Sequence, residues 1–212
     1  HFATPDDPDS DAFTDQRQRF DHALSEITAL GVRPSANWLR HAANSAALLR
    51  DSRAWYDVVR PGLLLYGIVP PPLASTIALR PVMSLTSRVV AVKGLRPGEG
   101  VGYGLRYRSD TPGTIAVIPA GYADGIDTRL AGRGSVLIRG TRVPVVGSIC
   151  MDMMMADVTG LEVAPGDEVV NIGQQGEESW QRIDAREMAA AIGTIPWEIV
   201  CRVGTRKERQ YE

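Results

Sequence analysis

Lysine is nearly absent from this chain: of 212 residues only Lys93 and Lys207 are Lys, and the remaining basic side chains are Arg. Lys and Arg together number 23 against 25 Asp and Glu, a formal net charge of −2. So even a balance argues against electrostatically driven nucleic-acid binding, which needs a clustered basic surface. Cysteine is equally scarce. Cys150 and Cys201 lie far apart and form no CxxC pair, which excludes a disulfide framework and leaves free thiols as the simple expectation. No run approaches the ~18 apolar residues that read as a membrane-spanning helix. His1, His22 and His41 have no accompanying ligands at metal-site spacing, and no metal site is visible. The first residues show no charged region followed by an apolar run, and a cytoplasmic location is expected.

What is present is enough apolar residue, 44%, to bury a real core. Phe13, Phe20, Leu24, Ile27 and Leu30 recur at helical spacing, so a helix is expected over Ala12–Leu30 with Gly31 as its stop. A short strand should follow near Ser35–Trp38, then a loop running into a helix over Ala43–Arg50, then a strand over Tyr56–Arg60 ended by Pro61-Gly62. Such alternation suits the last units of a β/α barrel. Pro70-Pro71-Pro72 marks a change of style and a domain boundary, giving residues 1–72 and 73–212. Beyond it the runs are short and β-branched, over Met83–Val92, Thr114–Pro119, Ser135–Arg139, Val143–Ser148, Met153–Val158 and Glu168–Ile172. Their Gly and Pro punctuation points to an antiparallel sheet or barrel. A helix over Asp184–Ile192, with Asp184 as N-cap and Gly193 as stop, should close the chain.

Two tempting sites fail on their own templates. Asp7, Asp9 and Asp11 fit the first three positions of a calcium loop, but Ala12 stands at its glycine and Gln18 at its glutamate. Gly98, Gly100, Gly102 and Gly104 lack the GxGxxG spacing and the βαβ frame of a dinucleotide site. His22 and His41 read as ordinary surface or core residues.

Six short motifs remain, in order: His1-Phe2-Ala3-Thr4, Ala43-Asn44-Ser45-Ala46-Ala47, Arg60-Pro61-Gly62-Leu63, Val101-Gly102-Tyr103-Gly104, Gly121-Tyr122-Ala123-Asp124-Gly125 and Ile149-Cys150-Met151-Asp152. Each is weak alone, but their order and gaps resemble the second half of a bacterial alanine racemase over nearly the whole chain. The resemblance implies an α/β fold: C-terminal units of a TIM-type β/α barrel, then a mostly antiparallel β domain. It implies pyridoxal 5'-phosphate as cofactor, an amino-acid substrate, and a homodimer with shared active sites. Lys93 and Lys207 do not stand where the family places its cofactor lysine. The chain is therefore expected to be the C-terminal part of the enzyme, with that lysine upstream of His1, and to be inactive alone.

Residue roles follow from the same resemblance. Tyr103, on a glycine-flanked turn, is the expected base, donated across the dimer interface and linked through His1 to Arg60. A phenol near pKa ~10 needs positive charge or hydrogen bonds nearby to act so. Arg60 is expected to face the pyridine nitrogen; a guanidinium stays protonated and gives the ring no full proton. Ser45 with the amides of Gly62 and Leu63 is the expected phosphate grip. Tyr122, Met151 and Asp152 resemble the partner-donated wall and entrance of the substrate pocket. Trp197 stands where the family usually has a Tyr that helps hold phosphate and narrows the entrance. An indole donates one hydrogen bond and accepts none, so an altered entrance is expected. Two rivals stand beside alanine racemisation: a serine or broad-specificity racemase of the same fold, and a non-catalytic β-domain binding module.

Overall fold

The computed structural model describes residues 1–32, 35, 37–73, 78–176, 180–204 and 206–211. The chain separates into two compact units, His1–Val82 and Met83–Glu212.

The first unit opens with helix α1, Ala12–Ala29, which ends through Leu30 and a left-handed Gly31 at φ +75°. Strand β1 (His41–Asn44) runs into helix α2 (Ser45–Arg50), and strand β2 (Val58–Arg60) is followed two residues later by the single turn α3 (Gly62–Leu65). The expected strand near Ser35–Trp38 falls partly outside the described residues; its described members carry none, and the strand instead begins at His41. β1 and β2 pair in parallel with Asn44 opposite Arg60, the arrangement of consecutive β/α units. Phe2, Phe13, Ala42, Ala43, Ala47 and Ala54 form the core, the small alanines letting α1 and α2 close on the strands. Arg50 ties the first loop to it. Its guanidinium lies 4.6 Å over the Phe13 ring and donates to the carbonyls of Thr4, Asp7 and Ser10.

The second unit is a sheet domain. Its strands are β3 (Leu85–Arg88), β4 (Ala91–Leu95), β5 (Gly100–Val101), β6 (Tyr107–Arg108), β7 (Gly113–Ile118), β8 (Ser135–Ile138), β9 (Thr141–Val146), β10 (Met154–Asp157), β11 (Glu168–Gln175) and β12 (Gln181–Ile183). Helices α4 (Ala185–Ile192) and α5 (Pro196–Arg202) complete it. Eight strands form one antiparallel sheet in the order β12-β11-β8-β9-β10-β7-β4, with β3 also on β11; β5 and β6 form a separate ribbon. The run expected as one strand over Met83–Val92 is two, because the chain changes partners there. Val89 donates to the Asp167 carbonyl beside β11, and Val90 to Val117 on β7. On α4, Asp184 Oδ1 accepts from the amides of Arg186 and Glu187, and Gly193 at φ +67° ends the helix. Among the described residues no helix is long and apolar enough to cross a membrane.

Candidate active site

In the first unit the chemistry gathers where β1 and β2 end, as parallel strands place ligands at their carboxyl ends. Asn44 caps α2, its Oδ1 accepting from the Ala47 amide at 3.0 Å. Ser45 follows and is buried. Its Oγ accepts from the amides of Leu63 at 3.0 Å and Leu64 at 3.3 Å. The Leu63 amide expected to face phosphate is thus engaged by Ser45, whose own hydroxyl hydrogen remains to be offered. A Cβ built on Gly62 meets nothing within 4 Å, so its flank is open to an approaching group.

Arg60 holds the centre of this unit. Nη1 lies 2.6 Å from His41 Nδ1, and Nη2 lies 3.1 Å from both His1 Nδ1 and the Ala42 carbonyl. A guanidinium only donates, so both imidazoles accept through Nδ1. Asn44 Nδ2 lies 3.4 Å from His1 Nε2 on the other side of that ring. No carboxylate is among these contacts. His41, read from sequence as ordinary, is a direct partner of Arg60.

The fit to pyridoxal phosphate is chemical. A buried Ser hydroxyl with an unshared hydrogen, an open Gly flank and a permanently charged Arg form a donor set suited to an anion and a basic ring nitrogen. The residues present fit the group.

In the second unit, Tyr103 begins a 3-10 turn between β5 and β6 and is 82% exposed. The backbone beneath it is clamped. Ser148 Oγ donates to the Tyr103 carbonyl at 2.7 Å, and Gly102 and Gly104 take φ of +75° and +76°. Tyr107 anchors the ribbon, its hydroxyl donating to Asp157 Oδ2 at 3.0 Å. Burial and that carboxylate push the Tyr107 phenol above its ordinary value.

Tyr122 and Met151, far apart in sequence, are strapped together. The Tyr122 amide donates to the Cys150 carbonyl at 3.0 Å, and the Ala123 amide to the Met151 carbonyl at 3.1 Å. Only glycine fits at 121, since a Cβ there would stand 2.3 Å from both carbonyl oxygens. Met151 and Tyr122 are both about half-exposed. Asp124 is buried; its Oδ2 accepts from the Gly121 amide at 3.0 Å, and its Oδ1 lies 3.2 Å from Lys207 Nζ. Arg206 pairs with Asp152. Trp197 sits in the first turn of α5, partly exposed. Thr194 bonds Glu198 on that helix, and Asp127, Arg129 and Arg202 surround it with ion pairs. Nothing in the sequence pattern singled out Asp127 or Arg206.

A parallel β/α unit carrying Arg60 and Ser45 is thus joined in one chain to an antiparallel β domain carrying Tyr103, Tyr122 and Met151. The family model for the alanine racemase N-terminal domain matches residues 1–70, and that for the C-terminal domain matches residues 82–211. The chain belongs to the alanine racemase family. The alanine racemase of Symbiobacterium thermophilum is 45% identical over all of this chain, which spans 55% of that relative. The solved alanine racemase of Streptomyces coelicolor A3(2) superposes with a TM-score of 0.91 at 38% identity, over all of this chain and 54% of that one. That of Bartonella henselae, with covalently bound pyridoxal phosphate, gives 0.85 at 29% identity, over all of this chain and 55% of that one. The chain thus spans about half the length of the relatives it matches.

Proposed function

We propose that this chain is the C-terminal part of a pyridoxal-phosphate-dependent enzyme that interconverts L- and D-alanine, supplying D-alanine for peptidoglycan in a bacterial cytoplasm. Residues 1–72 would be the last units of the cofactor-binding barrel, and residues 73–212 the β domain. The observation that carries the reading is Arg60, held by His41 Nδ1, His1 Nδ1 and the Ala42 carbonyl, with no carboxylate contact among the described residues.

Bound here, pyridoxal phosphate supplies a sink for the negative charge left when an α-proton is removed. Ser45 and the Gly62 segment would hold its phosphate. Arg60 would face its ring nitrogen and, staying protonated, leave that nitrogen without a full proton. His1 and His41 keep the guanidinium in place. Tyr103, exposed on a clamped turn, is offered outward as the base on one face of the substrate in the partner subunit's site. Tyr122, Met151 and Asp152 would border that pocket. Trp197, unable to accept a hydrogen bond as a Tyr hydroxyl does, changes the entrance and leaves serine as the second substrate to test.

The test is racemisation of L-alanine and L-serine by the holoenzyme, read by chiral chromatography, in wild type and Arg60→Lys. Lysine lacks the planar fork that reaches two rings and a carbonyl at once. Its substitution should lower alanine turnover by about 100-fold or more while the bound-cofactor absorbance persists. Turnover within threefold of wild type would sink the role given to Arg60, and a wild-type protein inert to both amino acids would favour a binding module instead.

A further inference from the structure

Asp127 is a buried carboxylate that none of these proton transfers uses. It is 5% exposed, and cations from two separate segments meet its oxygens. Oδ1 accepts from the Arg129 amide at 2.9 Å and from Arg129 Nε at 3.0 Å. Oδ2 accepts from Arg129 Nη2 at 2.8 Å and stands 3.4 Å from Nη2 of Arg202 on α5. Arg129 Nη2 is in turn 3.5 Å from Glu198 Oε2, also on α5. Two residues before Asp127 the backbone itself touches that helix: a Cβ on Gly125 would lie 2.6 Å from the Arg202 carbonyl oxygen. The Tyr122 turn thus meets the helix that carries Trp197 at Gly125, and Asp127, which caps the turn that follows, binds the same end of that helix through Arg202. Surface ion pairs hold little. A buried carboxylate in a bidentate bond to one Arg holds more than an exposed pair, because the fork fixes its geometry and the acid itself is shielded from water.

We propose that Asp127 is a positioning residue for substrate selection, holding α5 and Trp197 against the turn that carries Tyr122, so that neither ring yields to a larger amino acid. The inference rests on the racemase reading, which places both rings at the entrances of substrate pockets. Trp197 and Tyr122 are partly exposed, at 38% and 47%, and so are free to shift once the elements beneath them loosen.

The experiment compares kcat/KM for L-serine and L-alanine in the holoenzyme carrying Asp127→Asn, Trp197→Ala, or both. Asp127→Asn should raise the serine-to-alanine ratio by on the order of tenfold, the scale on which a pocket discriminates one small group. In the Trp197→Ala background the same substitution should add nothing further, since residues that act through one another are not additive. Arg202→Met removes a single contact from a half-exposed side chain and should shift the ratio the same way by less. It keeps the test open if Asp127→Asn fails to fold. Hydrogen exchange at the amides of 197–202 should quicken in Asp127→Asn and in Arg202→Met. A lowered Tm with an unmoved ratio would make Asp127 merely structural and overturn the proposal, as would an equal shift with Ala at 197. Alanine turnover by the wild type accompanies either of those outcomes, whereas a wild type inert to both amino acids would overturn the racemase reading with it.

Discussion

Arg60 and Asp127 show how a single charged side chain is defined by what it touches. Arg60 was legible in the sequence because Arg-Pro-Gly-Leu travels with five other motifs. His41 was not, because its contact with Arg60 exists only once β1 and β2 pair in parallel, and nothing local announces a pairing across 19 residues. Asp127 was invisible for the same reason, since its partner Arg202 lies on a helix 75 positions later. In the fold its carboxyl is held down to about 2, chiefly by the side-chain hydrogen bonds from Arg129, with Arg202 adding to them and burial opposing. Glu198, the other acid beside these cations, is also lowered, by Thr194 first and then by Arg202 and Arg129. The sign of the effect follows. The folded value lies below the ~3.9 of an unfolded chain, so folding favours the ionised form. That stabilisation is whole above about pH 5 and is lost as pH falls through ~3.9 towards 2. Thermal melts of the holoenzyme between pH 5 and 2 should therefore show a steeper fall in Tm for wild type than for Asp127→Asn. Parallel slopes would mean that Asp127 is not held as its contacts imply.

Elements were legible where local chemistry alone decides them and obscure where a neighbour does. Helix α4 could be read from Asp184 and Gly193, because a cap and a left-handed stop act within a few residues. The break between β3 and β4 could not, since Val89 and Val90 are both good strand formers that turn to different partners. Helix α5 also escaped notice, because seven residues present too little periodicity to reveal a helix held by ion pairs. The ribbon of β5 and β6 was hidden by its glycines, which weaken a strand signal while making the Tyr103 turn attainable. Gly102 is the most constrained of them: it takes φ +75°, and a Cβ there would stand 2.6 Å from the end of Met155 and 3.1 Å from the Ser148 amide. Met155 is flexible and can move, but Ser148 also holds the Tyr103 carbonyl. Gly102→Ala should thus displace the turn more than it unfolds the domain. Alanine racemisation should fall by about tenfold or more with a Tm loss equivalent to only ~1–2 kcal/mol of backbone strain. A large loss of Tm with full activity per folded molecule would show instead that the turn has no part in placing Tyr103.

At the scale of the whole molecule, the two units have unequal claims to stand alone. The second closes an eight-stranded sheet around a core of β-branched residues, whereas the first carries a sheet of two short parallel strands. Two strands leave unpaired edges and seldom hold without more of a sheet beside them. Leu39, Leu65 and Trp38 are exposed in that unit, which accords with the proposal that these are the last units of a barrel. Division of the catalytic residues between subunits is the part of the proposal that the fold makes testable with residues of this chain alone. If Tyr103 serves its own subunit, Arg60→Ala and Tyr103→Phe dimers should both be inactive, and mixing them should stay inactive, because every site keeps one defect. If Tyr103 crosses to the partner, a hybrid dimer gathers both defects into one site and leaves the other with an intact Arg60 and an intact Tyr103. Co-refolding the two inactive holoenzymes should then restore alanine racemisation, and restoration should track the fraction of hybrid measured by native mass spectrometry. Hybrids that form but never turn over would place Tyr103 in its own subunit's site and end the case for a shared one.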